Sequence, residues 1–164
     1  MAENTRKRHA FRLADVAINI GTDYPKPFDI VADGREKRKV SDHAGLSGYG
    51  VNIVSLPPDG ASAQRHWHEH EEEFTYIISG ELVLITDDGE ETVTAGHMMG
   101  FPAGYENGHH LVNRSAKDAV YMEIGTRCQN EVCHYPDIDL KYVGKNGTEI
   151  FYHKDGTPYP PDSE

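Results

Sequence analysis

The stretch RHWHEHEEEF, residues 65–74, packs three histidines and four glutamates into ten positions. It has two interpretations. Most Glu-rich stretches are solvated charge runs on a protein surface. Imidazole and carboxylate groups are also common ligands of first-row transition metals. The spacing of these residues, together with the sequence that follows them, has to decide between a charge run and a metal site.

The spacing of the histidines suits a β-strand. Because a strand places alternate side chains on one face, His66 and His68 would point in the same direction. The polar segment 68–72 is typical of a tight turn, and the next strand would begin near Glu73. Two neighbouring antiparallel strands could then present two imidazoles and a carboxylate to one point, which is a ligand set for a metal. The alternative is that both histidines are ordinary polar strand residues.

The sequence around this stretch predicts further strands. Residues rich in Val, Ile, Thr, Tyr and Leu alternate with turn sequences, and DDGE (87–90) is a hairpin signal. Turns recur about every 8 to 12 residues, as in an all-β sandwich or barrel, and no sustained helical periodicity interrupts them. Segment 11–20 could be a strand or a short helix, and a short strand is predicted at 149–154. The strand-rich segments are 50–60, 74–86, 91–104 and 108–127.

Length, charge and composition limit the class of protein. A chain of 164 residues suits one domain with a real core. Its net charge of −11 argues against nucleic-acid binding, which depends on Lys and Arg at phosphates, and we interpret the basic clusters at 6–9 and 35–39 as solvated charge. There is no transmembrane-length apolar run and no secretory signal at the N-terminus. We therefore expect a cytoplasmic protein without nucleic-acid or membrane partners, in which Cys128 and Cys133 stay reduced.

The sequence then resembles the two motifs of the cupin superfamily. Every fixed position of the first motif is present: Gly60, His66, His68, Glu73 and Gly80. The second motif corresponds to GHMMGFPAGYENGHHLVN (96–113), through Gly96, Pro102, Gly104, His109 and Asn113. This segment differs from the broad pattern in two ways. The loop 105–108 is two residues longer, and His97 stands where an Asp commonly follows the glycine.

The resemblance implies an all-β fold, a double-stranded β-helix or jelly-roll cupin barrel with N-terminal and C-terminal extensions. A single domain, 1–164, would comprise an N-terminal arm (1–49), the barrel core (50–126) and a C-terminal extension (127–164). The resemblance also implies one divalent metal ion per chain, which could be Fe, Mn, Zn or Ni. The implied ligands are His66, His68, Glu73 and His109.

Several nearby residues have other expected roles. We expect His70 to be an exposed turn residue and His110 to face away from the cavity. Gln64 and Thr75 could line the cavity or support the ligands. The lengthened loop, with Tyr105 and Asn107, could contact a substrate or be an ordinary surface loop.

Fold does not determine function, so the reaction stays open. Three histidines and one carboxylate leave coordination positions free, which suits a metal-dependent enzyme acting on a small oxygen-rich molecule. It would be of the dioxygenase, isomerase or decarboxylase type. The alternative is a non-catalytic small-molecule-binding cupin with a structural or ligand-anchoring metal. An open site beside Tyr, Gln or a second carboxylate would favour catalysis, whereas a dry apolar pocket would favour binding. The apolar outer face of Phe74, Tyr76 and Ile78 predicts a homodimer.

Overall fold

The computed structural model describes residues 10–160, and strands dominate it. Segment 11–20 contains both predicted alternatives, a 3-10 helix at Leu13–Asp15 followed by a two-residue strand. A second 3-10 helix spans Phe28–Ala32, and the α-helix α1 spans Val40–Ala44. The strands are β1 (Asn19–Ile20), β2 (Glu36–Lys39), β3 (Tyr49–Leu56), β4 (Trp67–His68), β5 (Glu73–Ser79), β6 (Glu81–Thr86), β7 (Gly89–Thr94), β8 (Met98–Phe101), β9 (His110–Val112), β10 (Ala119–Thr126), β11 (Asn130–Tyr135), β12 (Leu140–Lys145) and β13 (Thr148–Tyr152).

The strands form three antiparallel sheets. The order is β1-β2-β3-β10-β5-β8 in the six-stranded sheet, β13-β12-β11-β4 in the four-stranded sheet and β7-β6-β9 in the three-stranded sheet. Strands distant in sequence are neighbours, since β10 lies between β3 and β5. The predicted hairpin joins β6 to β7 through Asp87 and Asp88. The all-β jelly-roll barrel predicted from the sequence is thus confirmed.

One apolar core lies between the six-stranded and three-stranded sheets. On β5 the side chains alternate, with Thr75 and Ile77 buried and Phe74 and Ile78 exposed. This period of two is expected for a strand with one face on a core. The buried core residues are Val54, Leu56, Ile77, Leu82, Val93, Leu111, Ala119 and Tyr121.

Segments on both sides of residues 50–126 add strands to these sheets. β1 and β2 extend the six-stranded sheet beyond β3, and β11 to β13 make up most of the four-stranded sheet. A second apolar cluster forms around Cys133, Tyr135 and Leu140, and aromatic residues from both ends of the described chain pack on it. The flanking segments therefore form part of the wall around the barrel interior.

Within residues 10–160, no helix has the length and apolar character needed to cross a membrane.

Candidate metal centre

The structure brings together all four residues that the motifs identify. His66 and His109 form an isolated antiparallel bridge, in which each backbone N–H donates to the carbonyl oxygen of the other residue, at 3.2 and 2.9 Å. His68 lies on β4, and Glu73 is the first residue of β5. One feature of the prediction is wrong, because β4 is not a neighbour of β5. β4 pairs with β11, whereas β5 lies between β10 and β8, so the ligand candidates come from different sheets.

Three imidazoles converge on one carboxylate oxygen. The distances from Oε2 of Glu73 are 2.9 Å to Nε2 of His109, 3.6 Å to Nε2 of His68 and 3.8 Å to Nε2 of His66. Two ligand atoms that each lie about 2.1 Å from one ion are about 3.0 to 3.5 Å apart in octahedral or tetrahedral coordination. The observed separations are close to this range. We call these four residues the histidine cluster.

The surroundings of one atom of the histidine cluster indicate whether these residues fit a metal ion. Nε2 of His68 is buried and has no hydrogen-bond partner among the described residues. Buried polar atoms in proteins are rarely left without a partner. A cation within the histidine cluster would satisfy this nitrogen, so the donor set fits a metal ion.

The second nitrogen of two imidazoles is held by an acceptor. Nδ1 of His66 lies 2.7 Å from the backbone oxygen of Gln64, and Nδ1 of His68 lies 3.3 Å from Oε1 of Glu131. Metal-binding histidines typically donate this N–H to a carbonyl or a carboxylate, which fixes the ring and leaves Nε2 for the metal. The orientation of both rings is therefore suited to ligation.

Glu131 is a supporting residue that the sequence analysis missed. It is 4% exposed and also accepts the backbone N–H groups of Glu69 and His70, at 3.1 and 3.2 Å. It lies on β11 with Cys133 and Tyr135 on the same buried face. The alternation in NEVCHY (130–135) could have revealed this inward face, but neither motif includes that segment.

We expect Glu131→Gln to weaken metal binding by about 10- to 100-fold, the usual effect of losing a group that orients a ligand. The substitution removes the negative charge that holds Nδ1 of His68. Competition with a chromophoric chelator measures the affinity. Glu149→Gln is the matched control, because Glu149 lines the same cavity but makes no contact with the cluster histidines that would orient them. Equal affinities for the two variants would show that Glu131 does not orient His68.

The electrostatics of the cluster favour the protonation states that ligands require at His66 and Glu73. Burial lowers the pKa of His66 to about 3, so this imidazole is neutral at ordinary pH. Burial alone would raise the pKa of Glu73, but the hydrogen bond with His109 and the nearby charge of His68 outweigh it. The pKa of Glu73 is therefore well below its usual value, and the group is an ionised carboxylate. A metal ion needs deprotonated ligands of this kind.

Two cavities border the histidine cluster. The first, of about 540 Å³, extends from the cluster along the inner face of the six-stranded sheet. Its walls include the tyrosines Tyr121 and Tyr135 and the carboxylates Glu71 and Glu123. The second, of about 450 Å³, is more apolar and opens beside Trp67. Residues that border both cavities are His68, Glu71, Leu84, Phe101 and His109.

The basic cluster 35–39 is not simply solvated charge. Arg35 is buried, and the side chains of Arg35, Lys37 and Lys39 line the first cavity. The interpretation as surface charge is wrong for Arg35, which is buried, and for Lys37, which is half-buried. Lys39 is exposed, as that interpretation expects, although it borders the cavity. β2 was not predicted as a strand because all four of its residues are charged, and a strand with a wet inner face has no apolar alternation.

The remaining sequence expectations have mixed outcomes. His70 is exposed, and Thr75 is buried and lines the first cavity, both as expected. The Gln64 side chain does not line either cavity but donates to the backbone oxygen of Phe28 at 3.0 Å. Nδ1 of His110 hydrogen-bonds with the backbone oxygen of Ala63 at 3.0 Å, yet the residue borders the first cavity rather than facing fully away from it.

The lengthened loop 105–108 borders the second cavity. Tyr105 is 60% exposed at its rim. Asn107 accepts the backbone N–H of Asp87 at 2.8 Å and donates to Asp88 at 2.6 Å. Asn107 thus ties the loop to the β6–β7 turn, which is a structural role.

Cys133 lies close to the histidine cluster. It is 3% exposed, and its sulphur and one nitrogen each of His66 and His68 lie within 4.8 Å of one another. Burial raises the pKa of the Cys133 thiol, which disfavours the thiolate that binds metals. Cys128 is exposed, and both thiols are free.

Comparisons with known proteins agree with this geometry. A family profile described as "Cupin domain" matches residues 52–125. No protein with a curated description matches the chain.

Solved structures are similar over most of the chain. A sugar phosphate isomerase of the cupin superfamily from Silicibacter pomeroyi is 37% identical, with a TM-score of 0.88, and the match covers 93% of this chain and 98% of that one. A provisionally named sugar phosphate isomerase from Acidithiobacillus ferrooxidans is 25% identical, with a TM-score of 0.70 and coverage of 77% and 80%. A predicted oxalate decarboxylase from Thermotoga maritima, 18% identical with a TM-score of 0.58 and coverage of 73% and 99%, shares the fold alone. From its motifs, its barrel and these relatives, the chain belongs to the cupin superfamily.

Proposed function

We propose that this protein is a metal-dependent isomerase that acts on a small sugar phosphate. The observation that carries the proposal is the convergence of three imidazoles on Glu73 in the wall of a cavity that is also lined by other carboxylates and tyrosines. The name of the Silicibacter relative, at 37% identity over nearly its full length, supports an isomerase among the reactions that the sequence left open.

The metal would be one divalent ion per chain, Fe, Mn, Zn or Ni, held by His66, His68, Glu73 and His109. Such an ion would polarise a carbonyl or hydroxyl oxygen of the substrate. Phe101 stacks on the ring of His109 with their centroids 3.6 Å apart, which keeps that imidazole in place. Glu131 keeps the imidazole of His68 in place through a hydrogen bond with Nδ1.

The composition of the cavity favours catalysis over simple binding. A binding module would suit a dry apolar pocket without a further titratable group. The first cavity instead places Glu71, Glu123, Tyr121 and Tyr135 around one continuous space with the histidine cluster. These side chains can donate and accept protons, which an isomerase needs and a structural metal site does not.

Glu71 is our candidate for the proton transfer. Carboxylate oxygens of Glu71 and Glu131 and a nitrogen of His68 lie within 4.8 Å of one another, and Glu71 borders both cavities. In an aldose–ketose isomerisation, the carboxylate would take the proton from one carbon and return it to the neighbouring carbon. A second proton moves between the two oxygens, so the reaction consumes no oxidant or reductant.

The experiment is to incubate the metal-loaded protein with aldose phosphates, from triose to hexose, in deuterated water and to follow them by NMR. The proposal predicts conversion to the ketose phosphate with deuterium on the carbon next to the carbonyl. Glu71→Gln should lower kcat by about 100- to 10,000-fold, the usual range for losing a general acid–base group, while the metal content is unchanged. Glu72→Gln, at an exposed neighbouring position, is the control and should match the wild type. Substrate binding without conversion or deuterium exchange would favour the non-catalytic alternative.

We also propose that the protein is a cytoplasmic homodimer. Its ligand is the small-molecule substrate. The outer face of the six-stranded sheet exposes Phe74, Ile78 and Met98, at 39%, 43% and 66%, and Tyr76 lies half-buried between them. Contiguous apolar surface of this kind often marks a protein–protein interface. Light scattering at micromolar concentration should give a dimer mass, and Ile78→Glu should give a monomer. A monomer mass for the wild type would reject the dimer.

A further inference from the structure

The first cavity has a basic side as well as the histidine cluster. Arg35 immediately precedes β2, and Lys37 and Lys39 lie on it, so their two-residue spacing directs them to one face. All three line the cavity of about 540 Å³. We call these residues the basic face of β2.

The position of Lys37 relative to the cluster follows from the sheet register. Nζ of Lys37 lies 2.7 Å from Oε1 of Glu123, which also accepts the side-chain amide of Asn52 at 2.8 Å. Glu123 is directly opposite Thr75, and Thr75 follows Glu73 by two residues on the same face of β5. An extended strand rises about 3.4 Å per residue, so the ammonium group lies about 7 Å along the barrel from the level of Glu73. Glu123 lies on β10, one strand to the side of β5, and this lateral offset of about 4.8 Å brings the separation to about 8 Å, similar to the length of a pentose phosphate.

Neither Arg35 nor Lys39 forms an ion pair with a carboxylate in the part of the chain that the structure describes. The Arg35 guanidinium, in a residue that is 8% exposed, donates to the carbonyl oxygens of Gly21, at 2.6 Å, and Ser62. Neither acceptor carries a full negative charge. By contrast, the carboxylates Glu73 and Glu131, which line the same cavity, are held by imidazoles.

We propose that the basic face of β2 is an anion subsite that binds the phosphate group of the substrate, while the sugar end of the substrate lies at the histidine cluster. The identity of the substrate as a sugar phosphate rests on the proposed function. A phosphate monoester offers three acceptor oxygens and nearly two negative charges, and ammonium groups bind it as point charges. Glu123 keeps Lys37 inside the cavity when no anion is bound, and it competes with the phosphate for this ammonium.

Calorimetry on the metal-loaded protein tests the subsite with two ligands, a pentose phosphate and the same pentose without its phosphate. A charge-assisted contact of this kind corresponds to about a 10- to 100-fold preference for the phosphorylated ligand. Lys37→Met and Lys39→Met should each lower that preference about tenfold and leave the affinity for the free pentose unchanged. Glu123→Gln should act in the opposite direction and tighten binding of the pentose phosphate, because it releases Lys37. Lys117→Met, an exposed lysine outside the cavity, is the control.

Equal affinity of the wild type for both ligands would overturn the subsite. A preference that persists in both lysine variants would also overturn it, because the phosphate would then be bound elsewhere. If Lys37→Met fails to fold after losing its pair with Glu123, Lys39→Met and Glu123→Gln still decide the outcome through their opposite signs. A phosphate preference that depends on the lysines, without isomerisation in deuterated water, would keep the subsite and reject the isomerase. Isomerisation without a preference for the phosphorylated ligand would keep the isomerase and reject the subsite.

Discussion

Alanine in place of His66, His68, Glu73 or His109 is expected to lower metal affinity by well over 100-fold. Each substitution removes one of the four donor atoms that surround a single point, with Oε2 of Glu73 2.9 to 3.8 Å from the three nitrogens. This loss should exceed the roughly 10- to 100-fold effect expected when only an orienting group is removed. Chelator competition, together with elemental analysis of each purified variant, measures it.

His110→Ala is the matched control for His109→Ala. The two histidines are adjacent, but Nε2 of His109 contacts Glu73, whereas Nδ1 of His110 bonds to the backbone oxygen of Ala63. We expect His110→Ala to keep nearly full metal content. If His110→Ala lost the metal and His109→Ala kept it, the register of this segment would be off by one residue. Full metal content in a His66, His68 double variant would reject the metal site itself.

Gly80→Ala is expected to destabilise the fold by about 3 kcal/mol or more, which is a large fraction of a typical domain stability. Gly80 has a φ of +84°, and an added Cβ would lie 2.7 Å from the backbone Cα of Ala119 and 3.0 Å from the backbone oxygen of Asp118. Neither backbone atom can rotate away. The free energy of unfolding from urea denaturation measures the loss.

Gly147→Ala separates the backbone effect from the steric one. Gly147 has a φ of +81°, close to that of Gly80, but an added Cβ there would meet nothing within 4 Å. We expect a loss of only about 1 to 2 kcal/mol, the cost of left-handed backbone for a residue with a Cβ. Equal destabilisation by the two substitutions would mean that Gly80 does not pack closely against Ala119.

Gly80 also illustrates which parts of the fold the sequence could predict. The resemblance of Gly60, His66, His68, Glu73 and Gly80 to the first cupin motif was sufficient to identify the fold. In the structure this short stretch combines inward-facing ligand candidates with the close backbone contact at Gly80. Strand pairing was harder to predict. The pairing of β4 with β11 joins Trp67 to His134 across the sequence, and no local pattern near residues 65–74 indicates that neighbour.

The walls of the site were also only partly predictable. Glu131 supports His68 from a strand that lies 63 residues away in the chain, so only the folded structure brings them together. Arg35 and Lys37 were misread as surface charge, because charged side chains that face a wet cavity have the same pattern as those that face solvent. The motifs therefore predicted the ligand candidates, and the tertiary structure was needed for the groups that surround them.

The most direct test of the central claim is a crystal structure of protein purified without chelator, with X-ray data collected on both sides of the absorption edge of the bound metal. We predict one anomalous peak per chain, about 2.0 to 2.3 Å from the nearest atoms of His66, His68, Glu73 and His109. A peak bound instead by the sulphur of Cys133 with His66 and His68, or no ion at the histidine cluster, would contradict the account.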